Sequence, residues 1–185
     1  VLFRSKAVAL DRFTPMMREQ VFGSMAADQV IIQRDIASSR PVASVCSFSI
    51  QGRVVGLFGY EKLRQHPNRF GTGTYLRSVS VDDVLPIAAA LLKQLEFTGI
   101  SEIEFIHDEE NGTFRVIEMN PRTWKSVHFA TQCGVNLVGQ LVAHVCGREV
   151  TRQCDYSRGR YWADLATDIP QMFRERDRKS TRLNS

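Results

Sequence analysis

Residues 104–122, EFIHDEENGTFRVIEMNPR, place two apolar runs on either side of Asn111-Gly112, a dipeptide that favours a tight hairpin. A three-residue loop of Glu110, Asn111 and Gly112, with the glycine left-handed, predicts a register with Glu104 opposite Glu118, Ile106 opposite Val116 and Phe105 opposite Ile117. Apolar residues then pair with apolar ones and acid with acid. A two-residue loop spoils this match, because a one-residue slip sends a strand's side chains to the other face. In the expected register Glu118 and Asn120 share a face with Val116 and Phe114, and Pro121 ends the strand because it has no N–H for the ladder.

Opposed carboxylates in a sheet are destabilising unless a cation lies between them or they share a proton. Glu104, Glu118 and Asn120 all present hard oxygen atoms, a set that suits magnesium or manganese completed by substrate phosphates. Arg122 adds a planar fork for phosphate oxygens. Any one strand glutamate, Glu102 included, reads more simply as part of a solvated face. The constellation, and not any member of it, singles out a site.

Residues 104–126, E-F-I-x5-G-x4-I-E-M-N-P-R-T-W-K-S, followed by Gly134-Val135-Asn136-Leu137 and a helix ending at Gly147, resemble the metal and phosphate segment of the ATP-grasp superfamily. The resemblance is to the carbamoyl-phosphate synthetase-like and carboxylate-amine ligase branches, and it extends upstream to about Val30. It implies ATP as cosubstrate, with Glu104, Glu118 and Asn120 holding Mg2+ or Mn2+, and Arg122 and Lys125 contacting phosphates or an acyl-phosphate. It also makes residues 30–36, VIIQRDI, similar to the family's hinge strand, whose backbone at Gln33, Arg34, Asp35 and Ile36 would meet the adenine edge. Arg34 stands where the family usually has an acid, which leaves backbone recognition intact, and no residue is assigned to the ribose.

Between Val54 and Val79 the sequence reads as strands enclosing a polar stretch, with Lys62, Arg64, Arg69 and Arg77 around Gly71-Thr72-Gly73-Thr74. The charge favours an anionic ligand, but the glycines match neither dinucleotide-binding nor P-loop spacing. An ordinary glycine-containing turn between solvated basic strands reads equally well. The resemblance places this region on the acceptor-substrate side, with Arg64 and Arg77 as the residues for that role.

Asp82 and Asp83 are expected to cap a helix whose Val84, Ile87, Ala88, Leu91 and Leu95 follow the 3.6 period, with Gly99 stopping it. A second helix is expected from about Asn136 to Gly147, with Val138, Leu141, Val142 and Val145 on its core stripe. Two helices packed on an antiparallel sheet predict an α+β architecture. By the resemblance this is an ATP-grasp fold, truncated at its N-terminal side. A complete member would carry an upstream domain and a nucleotide-covering subdomain with a glycine-rich loop and phosphate-binding lysines, of which Lys6 could be a remnant.

With 185 residues, 43% of them hydrophobic, the chain can bury one good core. Its net charge of +4 invites a nucleic-acid reading, yet five basic residues against Asp177 within residues 1–5 and 176–185 account for all of it. Residues 1–5 and 178–185 resemble translated adaptor sequence and are set aside. This leaves a partial ATP-grasp domain over 6–150 and a C-terminal extension over 151–177. The four cysteines show no C-x-x-C pairing, and residues 6–177 contain no run of 18 apolar residues and no signal peptide, so a reduced cytoplasm is the expected setting, with secretion left open by a missing true N-terminus. His107 and His128 read as satisfied neighbours of the site.

The expected function is that of an ATP-dependent ligase that activates a small-molecule carboxylate as an acyl-phosphate for attack by an amine. A thiol in place of the amine, or bicarbonate as in the biotin carboxylase branch, fits the same residues. The alternative is a non-catalytic ATP-binding or scaffold module that retains the fold. Neither nucleic acid nor membrane is expected as a partner.

Overall fold

The computed structural model describes Ile36 and residues 38–67 and 71–169, and all but Ile36 belong to one compact unit that begins at Ser38. The hinge residues Gln33, Arg34 and Asp35, together with Lys6, Arg69 and the adaptor-like ends, lie outside the described residues.

Six strands form one antiparallel sheet: β1 (Val42–Ile50), β2 (Arg53–His66), β3 (Thr72–Ser78), β4 (Gly99–Asp108), β5 (Thr113–Asn120) and β6 (Tyr161–Ala163), in the order β5-β4-β1-β2-β3-β6. Among the described residues three helices lie between the strands, α1 (Leu85–Gln94), α2 (Val127–Gln132) and α3 (Leu137–Val145), and residues 165–169 are helical after β6. The expected α+β architecture is therefore present. Within β2, Gly56 and Gly59 point to opposite faces. A Cβ on Gly56 would lie 2.6 Å from Leu137 Cδ2 at the start of α3, and one on Gly59 would lie 2.4 Å from Val81 just before α1. The sheet is thus the middle layer, and its core of Val45, Phe48, Phe58, Ile103 and Phe105 is closed by Ala88 and Leu92 of α1 and by Phe129 and Leu137 of α2 and α3.

The central hairpin reaches the expected acid pairing by a different route. Its loop is the four residues 109–112, so Asp108 pairs with Thr113, Ile106 with Arg115 and Phe105 with Val116. A bulge at Ile117 then shifts the register, and Glu104 does face Glu118 while Glu102 faces Asn120. The pairs expected for Ile106 and Phe105 are each off by one residue. The bulge also moves Val116 and Phe114 to the face opposite Glu118, where Phe114 packs edge-on against His107. One extra loop residue and one extra strand residue cancel at the site.

The helices differ from expectation in their ends and their faces. No side chain caps α1: Asp82 accepts from Ser80 at 2.5 Å, and the helix grows out of a turn whose N–H groups at Val84 and Leu85 bond the Val81 carbonyl. Its stop is not Gly99 but Glu96, whose φ of 47° reverses the chain, while Gly99 opens β4. The buried stripe is Val84, Ala88 and Leu92, and Ile87 and Leu95 are exposed. Helix α3 does start at Asn136, whose side chain accepts from the Gly139 N–H at 2.8 Å, and it does end at Gly147 with φ 66°. Its buried side, however, carries Leu137, Gln140 and Leu141, leaving Val138, Val142 and Val145 exposed.

Gln51 and Gly52, with φ of 49° and 76°, make the two-residue turn between β1 and β2. A Cβ on Gly52 would lie 2.6 Å from the backbone Cα of Lys93 in α1. Gly52→Ala should therefore lower the unfolding free energy by about 2 kcal/mol in urea melts, since it meets both a left-handed φ and an immovable backbone.

Candidate functional site

Four strands carry the site in two transverse rows. One row runs Tyr60, Ser44, Glu104, Glu118 across β2, β1, β4 and β5, and the next runs Phe58, Cys46, Glu102, Asn120. Alternation puts both rows on one face, together with Lys62 one step further along β2. Glu102 and Glu104 are buried, at 4% and 7% exposure, whereas Glu118 is exposed and Asn120 half-buried.

Burying two carboxylates side by side requires compensation, and β2 supplies it. Lys62 Nζ lies 2.5 Å from Glu104 Oε1, with both side chains under 10% exposed. The Tyr60 hydroxyl donates to Glu102 Oε1. Asn120 Nδ2 donates to Glu118 Oε1 at 2.8 Å and reaches Glu102 Oε2 at 3.4 Å. Compensation is incomplete at Glu102: burial pushes its carboxyl up to about 7, with Glu104 and Glu118 adding to the shift against the opposing effects of Tyr60 and Lys62. Burial, with Glu102 adding to it, also pushes the Tyr60 phenol and Cys46 thiol well up. Ser44 Oγ, buried between Tyr60 and Glu104, has no partner.

The expected metal ligands Glu104, Glu118 and Asn120 are thus brought together, and Arg122 lies beside them, its guanidinium donating to Asn120 Oδ1 at 3.3 Å and to the Thr123 carbonyl at 3.0 Å. Among the described residues no three acidic, histidine or cysteine side chains gather as an ion site. The donor set is two carboxylates and an amide oxygen, and these hard oxygens, with the unpartnered Ser44 hydroxyl behind them, fit a divalent ion that takes its remaining ligands elsewhere.

The other expected residues are dispersed. Lys125 pairs with Asp164 beyond β6. Arg64 forms a fork on Asp168, with Nε and Nη2 at 2.8 and 2.5 Å from its two oxygens, and stacks 4.2 Å over Tyr75. Arg77 pairs across strands with Glu61, on the face opposite Lys62, so it is not brought to the carboxylate rows. The stretch around Gly71–Thr74 is mostly strand β3 and not a phosphate-cradling loop. His128 accepts from the Trp162 indole at 2.9 Å, and Trp124 is buried in the core. Glu102, Tyr60 and Ser44 are site members that the sequence reading passed over. The signal for Glu102 was its position two residues before Glu104, hence on the same face.

Residues 73–150 match the family model described as carbamoyl-phosphate synthase L chain, ATP binding domain. Two solved structures share the fold: Rhizobium etli pyruvate carboxylase T882A with acetyl coenzyme-A, at TM-score 0.50 and 20% identity over 65% of this chain, and the phosphoribosylaminoimidazole carboxylase ATPase subunit from Aquifex aeolicus, at TM-score 0.51 and 13% identity over 63%. The chain spans only 13% and 37% of those two proteins. No curated protein matches it. Over residues 73–150, less than half of its length, the chain is thus similar to the ATP-binding domain of the ATP-grasp enzymes, and the two solved structures share its fold. Among the described residues no helix is long and apolar enough to cross a membrane.

With a raised carboxyl, the folded protein holds a proton on Glu102 that the unfolded chain has released, so stability falls as pH rises from about 4.5 to about 7. In chelator, Glu102→Gln should flatten that part of the stability-versus-pH curve and leave the variant the more stable protein above pH 7. Urea melts at a series of pH values measure this, and an unchanged slope would place the protonation elsewhere.

Proposed function

We propose that the protein uses ATP to activate a small-molecule carboxylate as an acyl-phosphate, which an amine then attacks to form a C–N bond. The observation that carries this reading is the row in which Glu104 faces Glu118, with Asn120 and Arg122 at the end of the same strand, inside the segment that matches the ATP-binding family model. A relative by fold is an ATPase subunit of a carboxylase, in keeping with phosphoryl transfer to a carboxylate.

Glu104, Glu118 and Asn120 would hold Mg2+ or Mn2+, which when bound neutralises phosphate oxygens as charge moves toward the leaving group. Arg122, exposed at the end of β5, would hold the transferred phosphoryl group, its guanidinium already set in orientation by Asn120 and the Thr123 carbonyl. Lys125, on the same exposed loop, would reach the acyl-phosphate on exchanging Asp164 for the ligand. Arg64 would face the acceptor substrate. The adenine would lie on the backbone of residues 33–36. Phosphoryl transfer asks for positioned charge more than for covalent help from the protein, and a rigid sheet bearing acids beside a loop bearing cations meets that need.

Calorimetric titration of a protein carrying this segment within its complete cleft tests the metal assignment. ATP should bind at least tenfold more tightly in magnesium than in chelator, and Glu118→Ala should remove that difference while changing the melting temperature little. Equal ATP affinity in both media would discard the ligand set. Arg122→Lys should lower turnover roughly a hundredfold, because an ammonium does not reproduce a two-donor planar fork. Near-normal steady-state rates would assign Arg122 to bracing the Thr123 carbonyl alone.

A further inference from the structure

We infer that Lys62 is a built-in cation that competes with a divalent ion for Glu104, so that occupation of the metal site is tied to the arrival of phosphate oxygens able to receive the lysine. The inference rests on the metal reading proposed above and concerns a residue to which that reading gives no part.

Lys62 Nζ lies 2.5 Å from Glu104 Oε1, and the two side chains are 7% and 9% exposed. Among the described residues nothing else competes for the ammonium on equal terms: its other hydrogen-bond acceptor is the Gly71 carbonyl, at 3.4 Å, and Glu102 acts on it only through space. The lysine stem lies over Gly73, where a Cβ would come within 3.3 Å of its Cγ. The residue is therefore held in a groove across β3 and aimed at the carboxylate.

An oxygen that accepts from an ammonium at this distance cannot also hold a dication at a coordination distance of about 2.1 Å without bringing two positive charges against each other in a poorly screened place. Oε1 serves one cation at a time, and a dication on Oε2 would still face the ammonium across the same carboxylate, so Lys62 weakens any metal bound there. With Lys62 in place, the charge conflict between Glu104 and Glu118 is already relieved, which lowers the gain from binding a metal alone. When a metal does take Glu104, the ammonium loses its counter-ion while still largely buried, a costly state unless another anion replaces the carboxylate. Phosphate oxygens on the metal are anions of the right kind, and the flexible four-carbon stem allows the swing. Metal and phosphate then bind well together and poorly apart, without any movement of the backbone.

Two measurements on the 185-residue chain test this. The first is Mn2+ titration followed by electron paramagnetic resonance with no nucleotide present. Lys62→Met should bind Mn2+ about tenfold more tightly than wild type, and Lys62→Arg, which keeps the charge, should not. The second needs no variant: acylation of lysine amines, read by mass spectrometry, should find Lys62 protected in chelator and several-fold more reactive at a Mg2+ concentration that fills the site, fixed beforehand by displacement of bound Mn2+. Mn2+ binding by wild type that Lys62→Met leaves unchanged or weakens would overturn the inference while leaving the metal site standing, as would Lys62 reactivity indifferent to Mg2+. Absence of Mn2+ binding in wild type and Lys62→Met alike would overturn both readings.

Discussion

Two buried carboxylates, Glu102 and Glu104, on one face of β4 constrain everything around them. Ionised acids under a protein surface are tolerable only if each lone pair finds a donor or a counter-charge, and a pair on alternate residues of one strand doubles the demand. The neighbouring strands answer with a matched set from β2, where Tyr60 reaches Glu102 and Lys62 reaches Glu104 across the small residues Ser44 and Cys46 of β1. Larger β1 side chains would block both contacts. The answer stops short of neutrality: Glu102 keeps a raised carboxyl, Ser44 an unpartnered hydroxyl, and Glu118 opposite Glu104 has only an amide. A sequence selected for stability alone would place apolar residues here. The unanswered polarity is what a cationic or phosphate-bearing ligand can complete.

The sequence revealed the hairpin and its acids because both depend on local rules. Asn111-Gly112 fixes a turn, alternation fixes a face, and Pro121 fixes an end. The exact register was not legible, since the four-residue loop and the bulge at Ile117 are two errors of one residue that cancel at Glu104 and Glu118. Acid faced acid as expected, but the apolar matching used to argue for it does not occur. Helix faces failed for a related reason: Val138, Val142 and Val145 form an apolar stripe as regular as any core face, and only the position of the sheet decides that Leu137 and Gln140 point inward instead. Hydropathy counts methyl groups and does not say where the partner lies. Lys62 was visible as one charge of a basic cluster. That it would be spent on Glu104 depended on strand order, because β1 intervenes between β2 and β4.

The C-terminal extension is part of the same electrostatic arrangement. β6 adds to the free edge of β3, and the residues just after it send Asp164 to Lys125 and Asp168 to Arg64 and Thr74. Trp162 bonds His128 at the start of α2. A short segment therefore ties down the loop after β5 from one side and the far half of β2 from the other. Both cations expected at ligand positions are pre-positioned by carboxylates of the chain itself, and these hold the Asp164 and Asp168 carboxyls below their usual range. If either cation meets a ligand phosphate or carboxylate, as proposed above, one anion would replace another and no bare charge would be left.

The site thus divides into a fixed part and an adjustable part. Glu102 and Glu104 sit on β4, held by ladders to β1 and β5, and Glu118 sits opposite Glu104 on the edge strand β5, so their spacing across the pair is set by the ladder rather than by rotamers alone. Of the cations, Lys62 on Glu104 and Arg122 on Asn120 stand at the carboxylate rows, while Lys125 on Asp164 and Arg64 on Asp168 lie apart from them. Each of these contacts can be exchanged by rotating a few side-chain bonds, while moving an acid would require breaking the sheet. The phosphoryl transfer proposed above would be served well by this division. Metal geometry tolerates little displacement and belongs on strands, whereas a transferred phosphoryl group changes position during reaction and is better followed by flexible cations than by fixed ones.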